Sequence, residues 1–402
     1  VFKWHGDVEK SEKNKFLKNK AQILMITPES LEVILMSKSS DKNELFSDLH
    51  YIVIDEIHSF AESERGVHLM ALLERIQRYS SYDIQRIGLS ATVGNPEELL
   101  KWLQGSSKRE KSVIYPSEKK KDKKIEIKFC ADEEVRVEEI LKRIFSRKAL
   151  VFSNNRKDAE LLKLRLAKED IDSYIHHSSI NKFFREKTEE SFKLGNSNTI
   201  IATNTLELGI DIGALDIVLH LEMPNSVSSF LQKLGRTGRR QGRISHFVFL
   251  PSSEENLVLS VAILRLAVRK WVEGVYVSNK AYDILFHQII TSCLATHGAD
   301  IDEIFKVLSK VYSFSGIDYI KYIFLIDFMV KEQILHIDKS RIFLGDRGQE
   351  IFGKMNYMEL YSTFETPAEF TVNHKGRTIG TIEAWFVKAL GDKFNFLLGG
   401  RC

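Results

Sequence analysis

The chain has 402 residues, 43% of them apolar, with Lys+Arg 58 against Asp+Glu 55 and a net charge of +3. That length allows roughly two to four domains, and the near balance means that composition alone does not demonstrate nucleic-acid binding, so any basic surface must be local. Cys130, Cys293 and Cys402 are dispersed and form no CxxC pair, which argues against a disulfide framework or a zinc site and for a reducing compartment. No apolar run is long enough to span a bilayer and no signal peptide opens the chain, so the expected location is cytoplasmic, with no membrane partner.

In chain order, residues 1–20 are charged, with a turn at Trp4-His5-Gly6-Asp7. Ala21 to Ile26 reads as a buried strand, and Thr27-Pro28-Glu29-Ser30 then opens a helix to about Met36, with Thr27 as N-cap and Pro28 at the first helical position. Tyr51-Ile52-Val53-Ile54 is a strand that runs straight into Asp55-Glu56-Ile57-His58. Val67, Leu69, Met70, Leu73 and Ile76 give residues 66–79 an apolar helical face. A strand over 84–89 ends in Ser90-Ala91-Thr92, and Asn95-Pro96-Glu97-Glu98 starts a short helix to about Leu103. This alternation predicts a parallel sheet.

Residues 105–124 are polar and rich in lysine, and read as a solvated linker, with a phosphate-contacting arm as the alternative. A second α/β series follows, with strands over 148–153, 174–177, 198–203, 216–221 and 244–250, and helices over 134–146, 155–169 and 181–194 and around 230–234. A long amphipathic helix is predicted from Asn256 to Val272, then helices near 281–296, 301–312 and 317–331 and a hairpin over 333–344, which together suggest a winged helix. From about Phe364 the chain turns β-rich. The expected fold class is therefore α/β, with two RecA-like parallel-sheet domains followed by a winged helix and the start of a β-rich module. The predicted segments are 1–115 for the C-terminal part of the first domain, 116–133 for a linker and the first strand of the second, 134–252 for the second domain, 253–362 for the winged-helix region and 363–402 for the β-rich part.

Two carboxylates at the C-terminal end of a buried parallel strand lie where open α/β sheets bind ligands. One can hold Mg2+ through waters, which points to Asp55; the other can deprotonate an attacking water, which points to Glu56. Read alone, the pair is equally an acidic turn. The ordered set around it narrows the choice. Thr27-Pro28-Glu29-Ser30, Asp55-Glu56-Ile57-His58, Ser90-Ala91-Thr92, the stretch from Ala202 to Asp211 and Gln232-Lys233-Leu234-Gly235-Arg236-Thr237-Gly238-Arg239 resemble superfamily 2 helicase motifs Ib, II, III, V and VI, in that order. Trp4-His5-Gly6-Asp7, Arg65-Gly66-Val67-His68, the stretch from Gln85 to Glu98, Leu206 to Gly213 and the segment from Gly380 to Arg401 resemble the Lhr (large helicase-related) group more closely.

The resemblance implies an ATP-dependent 3′-to-5′ translocase on single-stranded DNA that unwinds duplexes, RNA–DNA hybrids included, and serves DNA repair. Its cofactors would be ATP and Mg2+, and its partner single-stranded DNA or an RNA–DNA hybrid, with RNA as an alternative. Asp55 would hold the metal, Glu56 would be the base, and Arg236 and Arg239 would act as arginine fingers, with Gln232 in the same catalytic motif. Gly235 and Gly238 would let that loop approach closely. Asp55, His58, Gly209, Asp211, Arg236 and Arg239 would bind the nucleotide. Ser90, Ala91 and Thr92 would couple nucleotide state to strand grip. Thr27, Pro28, Glu29, Ser153, Arg156, Thr203 and Thr205 would contact the strand, and Trp271 and Trp385 are candidates for base stacking, although a Trp in such a mixed apolar stretch is more often an ordinary core residue.

The chain departs from the pattern in two places. No GxxxxGK[ST] precedes Asp55, and the look-alike Gly348-Gln349-Glu350-Ile351-Phe352-Gly353-Lys354 is followed by Met355 and reads as the end of the winged helix. The chain opens at Val1 and closes on Leu-Leu-Gly-Gly-Arg-Cys, so it is expected to be cut at both ends, with the phosphate loop upstream, and not to hydrolyse ATP by itself. Lys233 stands where motif VI usually carries Arg. The alternatives kept are an RNA helicase of the exosome-associated kind and a nucleotide-dead nucleic-acid clamp.

Overall fold

The computed structural model describes every residue except 7, 38–40, 116–121, 195–197, 204–214, 239–243, 297, 354–368, 375–376 and 384–402. Its contacts divide the chain into two units: one of Val1–Ser90, Asn95–Ile114 and Gly274–Thr366, the other of Ala91–Gly94, Tyr115–Glu273 and Pro367–Cys402.

The first unit begins with β1 (Phe2–Trp4), α1 (Lys10–Lys18), β2 (Leu24–Ile26), α2 (Pro28–Met36) and α3 (Lys42–Phe46). It continues through β3 (Tyr51–Ile54), α4 (Ile57–Ala61), α5 (Glu64–Gln77), β4 (Gln85–Gly88) and α6 (Pro96–Gln104). The strands pair in parallel, β1 with β2 and β3 with β4, where Ile54 lies opposite Gly88. The core gathers Trp4 and Phe16 with Leu31, Ile34 and Leu35 of α2 and Leu72 and Ile76 of α5. The charged N-terminal stretch contributes to it through α1, whose Phe16 is buried in that cluster.

The second unit carries β5 (Lys123–Ile127), α7 (Glu133–Ile144), β6 (Ala149–Phe152), α8 (Arg156–Lys168), β7 (Ser173–His176) and α9 (Lys182–Leu194). Then come β8 (Thr199–Ala202), β9 (Ile217–Leu221), α10 (Val227–Leu234), β10 (Ser245–Leu250) and α11 (Glu254–Val268). Its six-stranded sheet runs β5-β10-β9-β6-β8-β7 and is parallel throughout. Every residue of β6, β8 and β9 is buried, as continuous apolar strands covered on both faces should be. Lys123 and Lys124, at the end of the lysine-rich stretch, open edge strand β5, where charged residues are tolerated.

α11 stops short of the predicted Val272. Lys270 takes a left-handed φ of 59°, and the amides of Lys270 and Trp271 turn back to the carbonyls of Ala267 and Leu266, so the helix closes in a Schellman arrangement without glycine.

The remaining elements are α12 (Tyr282–Thr296), β11 (Ala299–Asp300), α13 (Ile301–Leu308), α14 (Tyr319–Lys331), β12 (Leu335–Asp338), β13 (Arg341–Leu344), α15 (Asp346–Phe352) and the antiparallel pair β14 (Glu369–His374) and β15 (Arg377–Glu383). Here the elements follow the order helix, strand, helix, helix, strand, strand, and β11, β13 and β12 form an antiparallel sheet in that order. The phosphate-loop look-alike lies on α15, a helix rather than a loop, as far as Gly353.

Charged pairs also link helices of the first unit. α2 and α5 present their charged residues at the same spacing: Glu29 takes two hydrogen bonds from Arg65, and Glu32 meets His68, each pair 36 residues apart. Arg75 Nη1 also donates to Glu32 and to Gln288 Oε1 of α12, while Gln288 Nε2 donates to Glu32 Oε2 at 2.8 Å. Burial would raise the Glu32 pKa, but the Arg75 guanidinium and the His68 hydrogen bond hold it well below the ordinary carboxylate range. Glu32, His68 and His287 bring ligand-type atoms within 4.8 Å of one another. The guanidinium already on the carboxylate makes this a charge network rather than a cation site. Farther along, Trp102 Nε1 donates to Ser313 Oγ, and the Asn95 side chain bonds Val275 both ways, N–H to carbonyl and carbonyl to N–H.

Candidate nucleotide and nucleic-acid site

The predicted site residues fall in both units, and each group is described in its own unit. In the first, β3 delivers Asp55 to the solvent at its C-terminal end, as the parallel-sheet reading requires. Glu56 then adopts φ 50° and ψ 42°, the left-handed region, as the residue before α4. Such a conformation costs a non-glycine residue on the order of 1 kcal/mol or more and persists only where neighbours enforce it. Here they do. Asp55 Oδ1 accepts the Glu56 amide at 3.0 Å, Ser59 Oγ donates to the Glu56 carbonyl, and Ile57 N donates to Leu89 O while Leu89 N donates to Ile54 O. Asp55 stays exposed, and Glu56 is partly covered, its Oε2 3.6 Å from His58 Nδ1. The same ring nitrogen lies 3.2 Å from Ser90 Oγ, so His58 joins the acid at the end of β3 to the loop after β4.

These residues fit the groups the sequence implies. Asp55 offers hard oxygen at an exposed strand end, the donor class Mg2+ takes while keeping most of its waters.

Thr27 caps α2, its Oγ1 accepting the Ser30 amide at 3.3 Å, with Pro28 following at the first position. Pro28 is buried, and Glu29, predicted to touch the strand, is engaged by Arg65 Nε and Nη2 at 2.6 and 3.1 Å. Burial works to raise the Glu29 pKa, but the Arg65 bonds and charge keep it lowered. Glu29 therefore holds α2 against α5, a pairing that two segments so far apart in sequence do not reveal.

In the second unit, Phe152 of β6 and Ala202 of β8 are register partners, so Ser153 and Thr203 leave the same sheet edge side by side. Ser153 is buried, and its hydroxyl donates to the Asn155 carbonyl, pinning the loop. Thr203 is half-buried, and Arg156 opens α8 with Nη2 on Ser178 Oγ at 2.9 Å. Trp271, just past α11, is 49% exposed and therefore available to a base face.

α10 carries Gln232 and ends at Gly235; Arg236 follows, 8% exposed, its amide donating to Lys233 O. Lys233 is buried, with Nζ on His220 Nε2 at 3.2 Å and Ser229 Oγ at 2.9 Å, above the Phe152 ring. Burial first, and the Lys233 charge second, push the His220 pKa well down. A neutral His220 that donates from Nδ1 to the Leu221 carbonyl leaves Nε2 to accept from Lys233. A lysine thus serves where a planar guanidinium was expected, because its partners are single acceptors and an aromatic face.

Of the two glycines predicted to permit close approach, Gly238 needs its glycine: φ is +65° and a Cβ would stand 2.3 Å from Ser245 Oγ. A Cβ at Gly235 would meet nothing closer than 3.4 Å. Thr205, Gly209, Asp211, Arg239 and Trp385 lie outside the described residues. Ala91 and Thr92 are described, half-buried and exposed respectively, directly after Ser90. Among the described residues no helix is long and apolar enough to cross a membrane.

Two families match the chain: the DEAD/DEAH box helicase family over residues 1–99 and the helicase conserved C-terminal domain over 132–241. The ATP-dependent helicase Lhr-Core of Methanothermobacter thermautotrophicus is 31% identical over 98% of this chain and 49% of its own length. The Lhr helicase/uracil glycosylase of Escherichia coli is 29% identical over 74% of the chain and 23% of its own. The chain spans about half the length of the Lhr-Core relatives it matches. Among solved structures, the Mycobacterium smegmatis helicase Lhr bound to ssDNA and AMP-PNP superposes with a TM-score of 0.77 at 25% identity, covering 92% of this chain and 50% of that one. The DUF1998 helicase MrfA bound to DNA shares the fold, with a TM-score of 0.71 at 20% identity over 96% of this chain and 52% of that one.

Proposed function

Since this chain belongs to the superfamily 2 helicases of the Lhr type, we propose that the full-length protein is an ATP-dependent helicase that translocates on single-stranded DNA. The observation that carries the reading is the end of β3, where Glu56 is held in a left-handed turn beside Asp55 and reaches Ser90 through His58. A left-handed acid at a strand end, held from several sides, motivates assigning chemistry to it.

The substrate is ATP, whose γ-phosphoryl group passes to water with ADP as the leaving group. Asp55 would hold Mg2+, which would offset the phosphate charge, and Glu56 takes the proton from the attacking water. Arg236 and Arg239 offset charge that builds on the transferred group. His58 and Ser90 connect Glu56 with the loop that precedes α6. On the strand side, Thr27 at the start of α2, and Thr203 and Arg156 at one edge of the six-stranded sheet, contact backbone phosphates, and Trp271 stacks on a base.

The proposal of DNA rather than RNA is supported by the solved Lhr relative, which is bound to ssDNA. The 3′-to-5′ direction follows the resemblance of the motifs and is tested directly: partial duplexes with a 3′ or a 5′ single-stranded tail, of DNA or RNA, are offered with ATP and Mg2+. Unwinding restricted to 3′-tailed DNA-loading strands supports the reading. Unwinding restricted to RNA-loading strands would replace it with the RNA helicase reading.

A further inference from the structure

We propose that Glu273 is a positioning residue that ties the segment following Ser90-Ala91-Thr92 to the helix leading into Arg236; this deepens the helicase reading and rests on it. Glu273 lies in Trp-Val-Glu-Gly-Val, past α11 and outside every motif. It makes two kinds of contact within the second unit. Its backbone carbonyl accepts the Gly94 amide at 2.9 Å. Its carboxylate straddles the start of α10, Oε1 accepting Val227 N at 2.7 Å and Oε2 accepting Ser228 N at 3.1 Å.

The first amides of a helix have no partner within it. In α10 the Ser226 hydroxyl takes the Ser229 amide, and Glu273 takes the two before it. The cap is therefore completed by a residue that is also bonded to Gly94. Gly94 is shaped for that contact: a Cβ there would stand 2.3 Å from the Val272 carbonyl oxygen.

α10 transmits what happens at its start. Its eight residues span about 12 Å, and Phe230 and Leu234 lock it into the core with Phe247 and Phe249. Its last turn hands the chain to Arg236, whose amide is bonded to Lys233 O. A shift of residues 91–94 is thus passed through Glu273 to the arginine at the far end of the helix. Ser90, one residue before that segment, is the partner of His58.

The test uses the full-length protein as wild type, Glu273→Ala, Glu273→Gln, Gly94→Ala and the Gly94→Ala/Glu273→Ala double variant. Hydrogen exchange over 226–236 reads the tie; ATP hydrolysis with and without single-stranded DNA reads its consequence. Gly94→Ala is expected to raise exchange at 227 and 228 about tenfold, the size of one lost helix cap, Glu273→Ala to do the same, and the double variant to add nothing further. Glu273→Ala is expected to lower the strand-stimulated kcat about tenfold while KM for ATP and the unstimulated rate stay within about twofold. Glu273→Gln, which keeps a carbonyl acceptor for one amide, should recover part of it.

Unchanged exchange at 227 and 228 in Gly94→Ala overturns the tie whatever the hydrolysis does. Altered exchange with wild-type stimulation overturns its functional part. A wild-type protein without strand-stimulated hydrolysis defeats the helicase reading instead, and the exchange measurement still decides whether the tie exists.

Discussion

Ser90 Oγ and His58 Nδ1 lie 3.2 Å apart, and the same ring nitrogen is 3.6 Å from Glu56 Oε2. One imidazole therefore stands between the acid proposed to activate water and the loop proposed to report on the strand. Removing the ring while leaving both carboxylates should separate hydrolysis from work. His58→Ala is expected to keep ATP hydrolysis within about threefold of wild type while unwinding falls at least about tenfold. Parallel loss of both activities would assign His58 to the chemistry itself.

Arg236 follows the last turn of α10 and is the described arginine of motif VI. Arg236→Ala is expected to lower kcat for ATP by roughly 10²–10³ with a much smaller change in KM, the pattern of a contact made in the transition state. Arg236→Lys should recover little, because an ammonium does not reproduce the planar fork. Steady-state kinetics with saturating DNA checks both.

Glu32 is buried and accepts from Arg75, His68 and Gln288. Arg75→Ala would leave a buried carboxylate short of its main cation, and should destabilise the unit that contains it by about 3–5 kcal/mol in denaturant unfolding. The pH dependence has a definite sign. The Glu32 pKa is lower folded than unfolded, so its stabilisation is complete above the unfolded value, about 4.3, and is lost as pH falls below that toward the folded value. The stability gap between wild type and Glu32→Gln should therefore narrow below about pH 4; a gap that widens there would contradict the ion-pair account.

Much of this was legible in local sequence. β6 is a wholly apolar run, and β8 and β9 are apolar but for Thr199 and His220; such short runs announce strands buried on both faces. Thr27-Pro28 announced the start of α2 because a hydroxyl cap and a first-position proline are both satisfied within four residues. α1 was not legible, since Phe16 and Leu17 are its only apolar residues and make no helical stripe.

Relationships between distant segments were also hidden. Glu29 looked like a strand contact because it sits at a helix start, yet Arg65, 36 residues on, claims it. Glu273 carried no signal, because its partners Gly94 and Val227 come together only in the fold. In α14 apolar residues surround Lys321, Asp327 and Lys331, so nothing local marked Phe324 and Phe328 as residues left 68% and 53% exposed.

The central claim is that Asp55 and Glu56 mark the hydrolytic centre of a DNA-driven motor. The rate of ATP hydrolysis by the full-length protein, with and without single-stranded DNA or RNA and beside Glu56→Gln, tests it most directly. The account predicts hydrolysis stimulated by DNA more than by RNA and lowered at least about 10²-fold by Glu56→Gln, the contribution of a general base, with ATP binding retained. A folded protein that binds ATP but hydrolyses it no faster with either strand, or a Glu56→Gln variant that hydrolyses as fast as wild type, would contradict it.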